Sequence, residues 1–188
     1  MHALRATCLV VALLFSGATT ASFGAEPAPA AAPDVRTQLN DYLFEAAKQG
    51  RTDMLQEFVE SRYNLDVRDS HGYTALIFAA YHGHAAAVDL LLQAGADPCA
   101  KDNRGNTALM GAIFKGEIAI ARRLIGADCN PDQKNSAGQT PAMYAALFGR
   151  MELLDDLASK GADLDAKDAD GNSAKTLARG EIQVNTPR

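Results

Sequence analysis

Glycines stand at positions 72, 105, 138 and 171, each 33 residues after the one before. A second series, at 50, 83, 116 and 149, keeps the same step. Two series in one register constrain the chain more than any local signal does, because a period of this length means one supersecondary unit copied and stacked. The stretches around the first series align residue by residue. Asp69-Ser70-His71-Gly72-Tyr73-Thr74 matches Asp102-Asn103-Arg104-Gly105-Asn106-Thr107, then Asn135-Ser136-Ala137-Gly138-Gln139-Thr140 and Asp168-Ala169-Asp170-Gly171-Asn172-Ser173. Asp or Asn opens each unit because a short polar side chain hydrogen-bonds nearby backbone in a turn. Glycine follows where a positive φ is required. Thr74, Thr107, Thr140 and Ser173 then stand where a hydroxyl caps a helix, and Pro141 suits a first helical turn, where a missing N–H costs nothing.

Two helices fit between successive turns. The first carries small residues, Ala79-Ala80, Ala112 and Ala145-Ala146, and ends at Gly83, Gly116 and Gly149. The second repeats Leu91-Leu92, Leu124-Ile125 and Leu157-Ala158, with Val88, Ala121 and Leu154 one turn earlier, which gives an apolar stripe at helical spacing. Gly95-Ala96-Asp97 and Gly161-Ala162-Asp163 close it. Over residues 38–180 the chain therefore resembles the ankyrin-repeat family, and is similar to its bacterial, exported (periplasmic) members.

The resemblance implies an all-α solenoid of stacked helix-turn-helix units joined by short β-turn or hairpin loops. A cap at 38–68 lacks the Gly-x-Thr turn, repeats follow at 69–101, 102–134 and 135–167, and a partial cap at 168–180 carries Lys175 and Arg179 where inner repeats are apolar. Three departures stand out. Ile77, Met110 and Met143 replace the histidine common after the capping threonine, which removes a His–Thr hydrogen bond and should soften the turns. Asp128 and Arg62 occupy the place of Gly95 and Gly161. Asp tolerates a left-handed conformation moderately, whereas Arg costs about 1 kcal/mol there, so looseness is expected around Arg62.

Residues 1–25 read as a signal peptide. His2 and Arg5 precede the apolar run Leu9 to Phe15, and small residues follow to Ala25, with cleavage open after Ala18, Ala21 or Ala25. Residues 26–37, rich in Pro and Ala from Glu26 to Pro33, read as a tether, and 181–188 as a tail. With no second apolar run of spanning length, the mature chain is expected to be soluble and periplasmic.

The formal net charge is −5, without the basic surplus that phosphate neutralisation needs, so nucleic acid is not an expected partner. No catalytic constellation, phosphate loop or metal-ligand pattern is legible. His71, His82 and His84 lack the spacing of a zinc site, so neither enzyme activity nor a cofactor is expected. Cys99 and Cys129 leave two outcomes open. Pairing suits an oxidising compartment. However, the two occupy different places in the repeat, and neighbouring repeats stack about a helix diameter, or ~10 Å, apart. That exceeds disulfide reach, so two small, largely buried thiols are the preferred reading.

The family's concave face is formed by turn tips and first helices, where the fold does not dictate identity. The candidate partner-binding residues are therefore His71, Tyr73, Tyr81, His82, Arg104, Asn106, Phe114, Lys115, Gln139, Leu147 and Phe148. Aromatic anchors ringed by Asn, Gln, Arg and Lys suit a protein partner. Phe78 and Tyr144 are assigned to the core. The expected function is non-enzymatic docking of a protein by a monomer. The alternatives are an immunity or inhibitor protein for an exported toxin or hydrolase, and a secreted host-directed effector.

Overall fold

A computed structural model describes residues 34–184. The signal peptide, most of the tether and the last four residues of the tail lie outside the described residues.

Helices come in pairs, α1 (Val35–Gln49) with α2 (Thr52–Glu60), α3 (Ala75–Tyr81) with α4 (Ala85–Gln93), α5 (Ala108–Lys115) with α6 (Ile118–Ile125), and α7 (Pro141–Leu147) with α8 (Met151–Ser159). A single short helix, α9 (Ala174–Ala178), ends the series. Residues 35–37, assigned above to the tether, belong to α1, which Asp34 caps through the Arg36 N–H. Among the described residues no strand forms, and Lys101 and Thr107 make an isolated antiparallel bridge. First helices α1, α3, α5, α7 and α9 contact one another in one row, and α2, α4, α6 and α8 form the second. This is the all-α solenoid expected.

The core runs unbroken between the rows. Ala79, Ala80, Ala112 and Ala145 are fully buried, and so are Leu43, Leu55, Leu91, Ile113 and Leu153. Alanine on the first helices lets consecutive units approach, and leucine on the second supplies the buried area. Thr74, Thr107, Thr140 and Ser173 each accept the backbone N–H three residues on. Ile77, Met110 and Met143, in place of histidine, are buried.

Each turn is closed by its opening residue. The Asp102 Oδ1 accepts from Arg104 and Asn106 N–H groups, and Asp69, Asn135 and Asp168 do likewise. Consecutive turns then bond to one another through backbone. Asn103 N–H donates to His71 C=O at 2.9 Å, Ser136 N–H to Arg104 C=O at 2.8 Å, and Ala169 N–H to Ala137 C=O at 3.2 Å. Gly72 and Gly105 make this approach possible. Both have positive φ, and a Cβ at Gly72 would stand 2.7 Å from the Asn103 nitrogen, one at Gly105 3.0 Å from the Asn135 Cα.

Cys99 and Cys129 form a disulfide with a Cα–Cα distance of 5.7 Å, which corrects the expectation of two free thiols. The helix-to-helix spacing was the wrong ruler, because both cysteines lie in loops. Cys99 stands one repeat after Asp66 and one before Asp132. Those two carboxylates reach across to accept the N–H of Asp97 and Asp163 in the next unit. A side chain at that place already touches its neighbour, and Cys129 is adjacent in the chain to Asn130, the counterpart of Asp97 and Asp163. A covalent bond thus replaces a carboxylate bridge at one of three equivalent junctions.

The glycine replacements also behave differently from each other. Arg62 is left-handed, with φ 55°, as expected. Its turn is tied by the Tyr63 N–H to Phe58 C=O, by the Tyr63 hydroxyl to Asn40, and by edge-on contact of the Phe58 and Tyr63 rings. Asp128 is not left-handed, contrary to expectation, and Arg62 is the sole non-glycine residue with positive φ among those described. Elsewhere a six-residue closing bond forms, such as Ala96 N–H to Leu91 C=O, but the Cys129 N–H turns to Ala127 C=O instead. Without glycine the loop takes a different path, held by the disulfide.

Gly95 and Gly105 separate the two demands on glycine. Both have positive φ, yet a Cβ at Gly95 meets nothing within 4 Å. Gly95→Ala should cost about 1 kcal/mol and Gly105→Ala at least about twice that, by urea unfolding. Equal costs would show that turn contact contributes nothing. Replacing both cysteines by serine closes no loop in the unfolded chain and should lower stability by about 2–4 kcal/mol. Full reactivity of both thiols in the folded native protein would contradict the bond.

Candidate interaction groove

Helices α3 and α5 stand side by side, and the turns at Asp69–Tyr73 and Asp102–Asn106 project beyond their N-terminal ends. Between them lies a groove of about 430 Å³, within the size range of pockets that seat a ligand group. Tyr73, Arg104 and Asn106 line it from the turns, Tyr81 and His82 from the end of α3, and Phe114 from α5. Six of the eleven candidate residues are thereby brought together.

The other five do not line it. The Lys115 ammonium sits 5.1 Å from the centre of the Tyr81 ring. Phe148 meets Phe114 edge-on at 4.9 Å, and Tyr81 stacks on Phe114 at 6.2 Å, so three rings from consecutive repeats form a row. Leu147 is exposed next to Phe148, and His71 is exposed on its turn, stacked on Tyr73. Gln139 does not reach the groove; its Oε1 accepts from Asn135 Nδ2 within its own turn.

Phe78 and Tyr144, assigned to the core, are half-buried and line the groove while packing on the core behind it. The Tyr144 hydroxyl donates to Asn106 Oδ1 at 3.0 Å and accepts from Asn135 Nδ2 at 3.3 Å, which fixes one wall. Burial pushes the phenol above its ordinary range, with the Asn135 hydrogen bond opposing. Asn106 is held in turn by Asp102, whose carboxylate is spent on the turn's N–H groups and the Asn106 amide.

One residue explains why a hollow exists. Phe78, Gly111 and Tyr144 occupy the same place in three consecutive units. Gly111 lies inside helix α5 without positive φ, so the backbone does not require it. A Cβ there would meet only Tyr81 carbons, at 3.8 and 3.9 Å. Glycine inside a helix costs about 0.5–1 kcal/mol relative to alanine. That cost is accepted here for open space where both neighbours carry a ring. No sequence feature common to the repeats reports this; the departure at 111 does.

On the second helices, Arg122 pairs with Asp156 at 2.8 Å and Arg123 with Asp89 at 2.6 Å, each bridging two units. Along the groove, Lys48 lies 4.5 Å from the Phe78 ring centre and Lys115 lies over Tyr81. Lys48, Lys115 and Arg104 make no ion pair among the described residues. His82 is held below its ordinary value of 6.5, first by burial and then by the nearby His84, Lys115 and Lys48, with Glu45 acting the other way. Among the described residues, no three His, Cys, Asp or Glu side chains are grouped to hold a metal ion. No helix among them is long and apolar enough to cross a membrane.

Comparison with known proteins agrees with this architecture. The chain is 51% identical over 49 residues to a calmodulin-binding transcription activator, CBT, of Oryza sativa, covering 26% of this chain and 5% of that protein. It is 44% identical over 62 residues to the human ankyrin repeat domain-containing protein 29, covering 32% and 21%. It is 50% identical over 50 residues to a 60 kDa lysophospholipase of Mus musculus, covering 27% and 9%. The match therefore spans about a fifth or less of the length of these relatives. The family model for ankyrin repeats in three copies matches residues 2–102, 43–135 and 94–168. With the glycine register, the paired helix rows and the turn-to-turn bonds, this match places the chain in the ankyrin-repeat family, whose repeats are protein–protein interaction modules.

Proposed function

We propose that this chain is a non-enzymatic periplasmic module of a Gram-negative bacterium, monomeric, which docks a protein partner through the groove between α3 and α5. The observation that carries the reading is the hollow at Gly111. A chain that needed only a stable stack would gain from a larger residue there, as its neighbours at 78 and 144 have.

The walls suit docking as well. Tyr81 and Phe114 remain 38% and 44% exposed although they contact each other, so a sizeable aromatic surface is left for a partner. Residues that contact a partner need to be held still, and the Tyr144–Asn106–Asp102 chain of hydrogen bonds does so from behind.

Export is supported by two independent features. The N-terminal 25 residues have the basic start, short apolar centre and small-residue end of a cleaved leader. The Cys99–Cys129 bond is of a kind that persists in oxidising compartments and is rare in the cytosol. Inhibition of a basic exported enzyme is a weaker reading, because the cations at the groove would repel such a target.

Tyr81→Ala with Phe114→Ala should reduce capture of a crosslinked partner from envelope extract by at least about tenfold while leaving the unfolding midpoint near that of the parent. Undiminished capture would contradict docking at this groove. In the cell, the full chain should have Cys99 and Cys129 blocked to thiol reagents, whereas a chain starting at residue 26 should have both reactive. Free thiols on the full chain, recovered from the cytosol, would contradict export.

A further inference from the structure

The groove has a chemistry specific enough to name its occupant, given the docking reading above. We propose that it receives an acidic peptide segment of the partner, with one bulky apolar side chain seated beside Gly111 and neighbouring carboxylates on Arg104 and Lys115.

The apolar anchor follows from the vacancy in the row. At the equivalent places Phe78 and Tyr144 supply rings from this chain itself, and at Gly111 the space beside Tyr81 and Phe114 is left open. A planar or branched side chain from a partner completes the row there, with edge and face contacts to Tyr81 and Phe114 of the sort those two rings already make with their neighbours.

The acidic character follows from charge. Lys48 and Lys115 are held over aromatic rings, and Arg104 stands exposed at the groove, none with an ion pair among the described residues. The arginines of α6 are matched by carboxylates of this chain. Arg104, Lys115 and Lys48 thus place three cations without an ion pair in or beside the groove, in a chain whose overall charge is −5. The nearby carboxylates form no ion pair with them. Asp69 and Asp102 are spent on turn N–H groups, and Glu45 accepts from Gln49. A partner supplying carboxylates would meet Arg104, Lys115 and Lys48 here, in a chain whose remainder is net acidic, which favours docking at this place. That same acidic remainder disfavours a nucleic-acid strand, although a strand could stack on the rings.

Selection of a phage-displayed library of random linear peptides on the full chain tests this, with binding of the selected peptides then measured by fluorescence polarisation. Three variants accompany it: Gly111→Phe, which fills the hollow as Phe78 does one unit earlier; Arg104→Glu with Lys115→Glu; and Arg122→Glu as a charge control on the far row. Far-ultraviolet circular dichroism checks that each variant is folded. The expected result is enrichment of Asp and Glu around an aromatic or branched residue. Binding should weaken at least about tenfold in both groove variants and little in the control. Peptides lost with Gly111→Phe but without acidic enrichment would overturn the proposed chemistry and leave docking standing. Peptides indifferent to both groove variants, or none selected, would overturn the two together. Displacement of the selected peptides by an oligo-dT strand at comparable concentration would replace a peptide occupant by a nucleic-acid one.

Discussion

Everything in this molecule depends on how closely one turn can approach the next. The N–H of Asn103 reaches the carbonyl of His71, and that of Ser136 the carbonyl of Arg104, because Gly72 and Gly105 carry no side chain where the following turn passes. The approach fixes the spacing of successive units at the turn end. The helices behind must then be slim enough to match it, which alanine at 79, 80, 112 and 145 provides. Side-chain bridges repeat the pattern further back. Lys101 donates to the carbonyl of Lys134, and Lys134 to that of Lys167, one repeat on in each case. His84 meets the Lys48 carbonyl on the first-helix side. Each unit is stabilised chiefly by its neighbours, as a stack of short helices must be.

A framework this regular makes irregularities informative. Where successive units present the same place to solvent, the fold dictates only what the backbone tolerates, and any difference among them is free to serve something else. Phe78, Gly111 and Tyr144 are one such set. Lys48, Tyr81, Phe114 and Leu147 are another, running along the row of first helices with a cation at one end and apolar groups after it. Cys99 among Asp66 and Asp132 is a third, and there the substitution turns a polar bridge into a covalent one. The turn-to-turn bond from Asn103 to His71 and the Cys99–Cys129 disulfide both join the two units whose first helices wall the groove.

The fold was legible because its signals are local and repeated. Glycine spacing, capping threonines and the small-residue pattern of the first helices each have a backbone reason that does not depend on distant contacts. What escaped sequence reading involved contacts between units. The cysteine pair was judged by the distance between helices, whereas loops at that junction interleave, as the Asp66 and Asp132 contacts show. Asp128 was read as a direct stand-in for Gly95, but a loop without glycine takes another path. At the site, Tyr81, Phe114, Arg104 and Asn106 could be named from their places in the repeat. Gly111 could not be found by asking what the repeats share, since its meaning lies in what it lacks. Periodicity favours the core for Phe78 and Tyr144 because it distinguishes only inward from outward, and both side chains are half of each.

Amide hydrogen exchange at the turn contacts tests the central claim most directly. If turn-to-turn bonding sets the spacing of the stack and holds the groove, the amides of Asn103 and Ser136 should exchange as slowly as those inside α3 and α5, although both residues lie outside any helix. Exchange at the rate of an unstructured peptide would mean that the turns do not bond, and that something other than their contact holds the repeats in register.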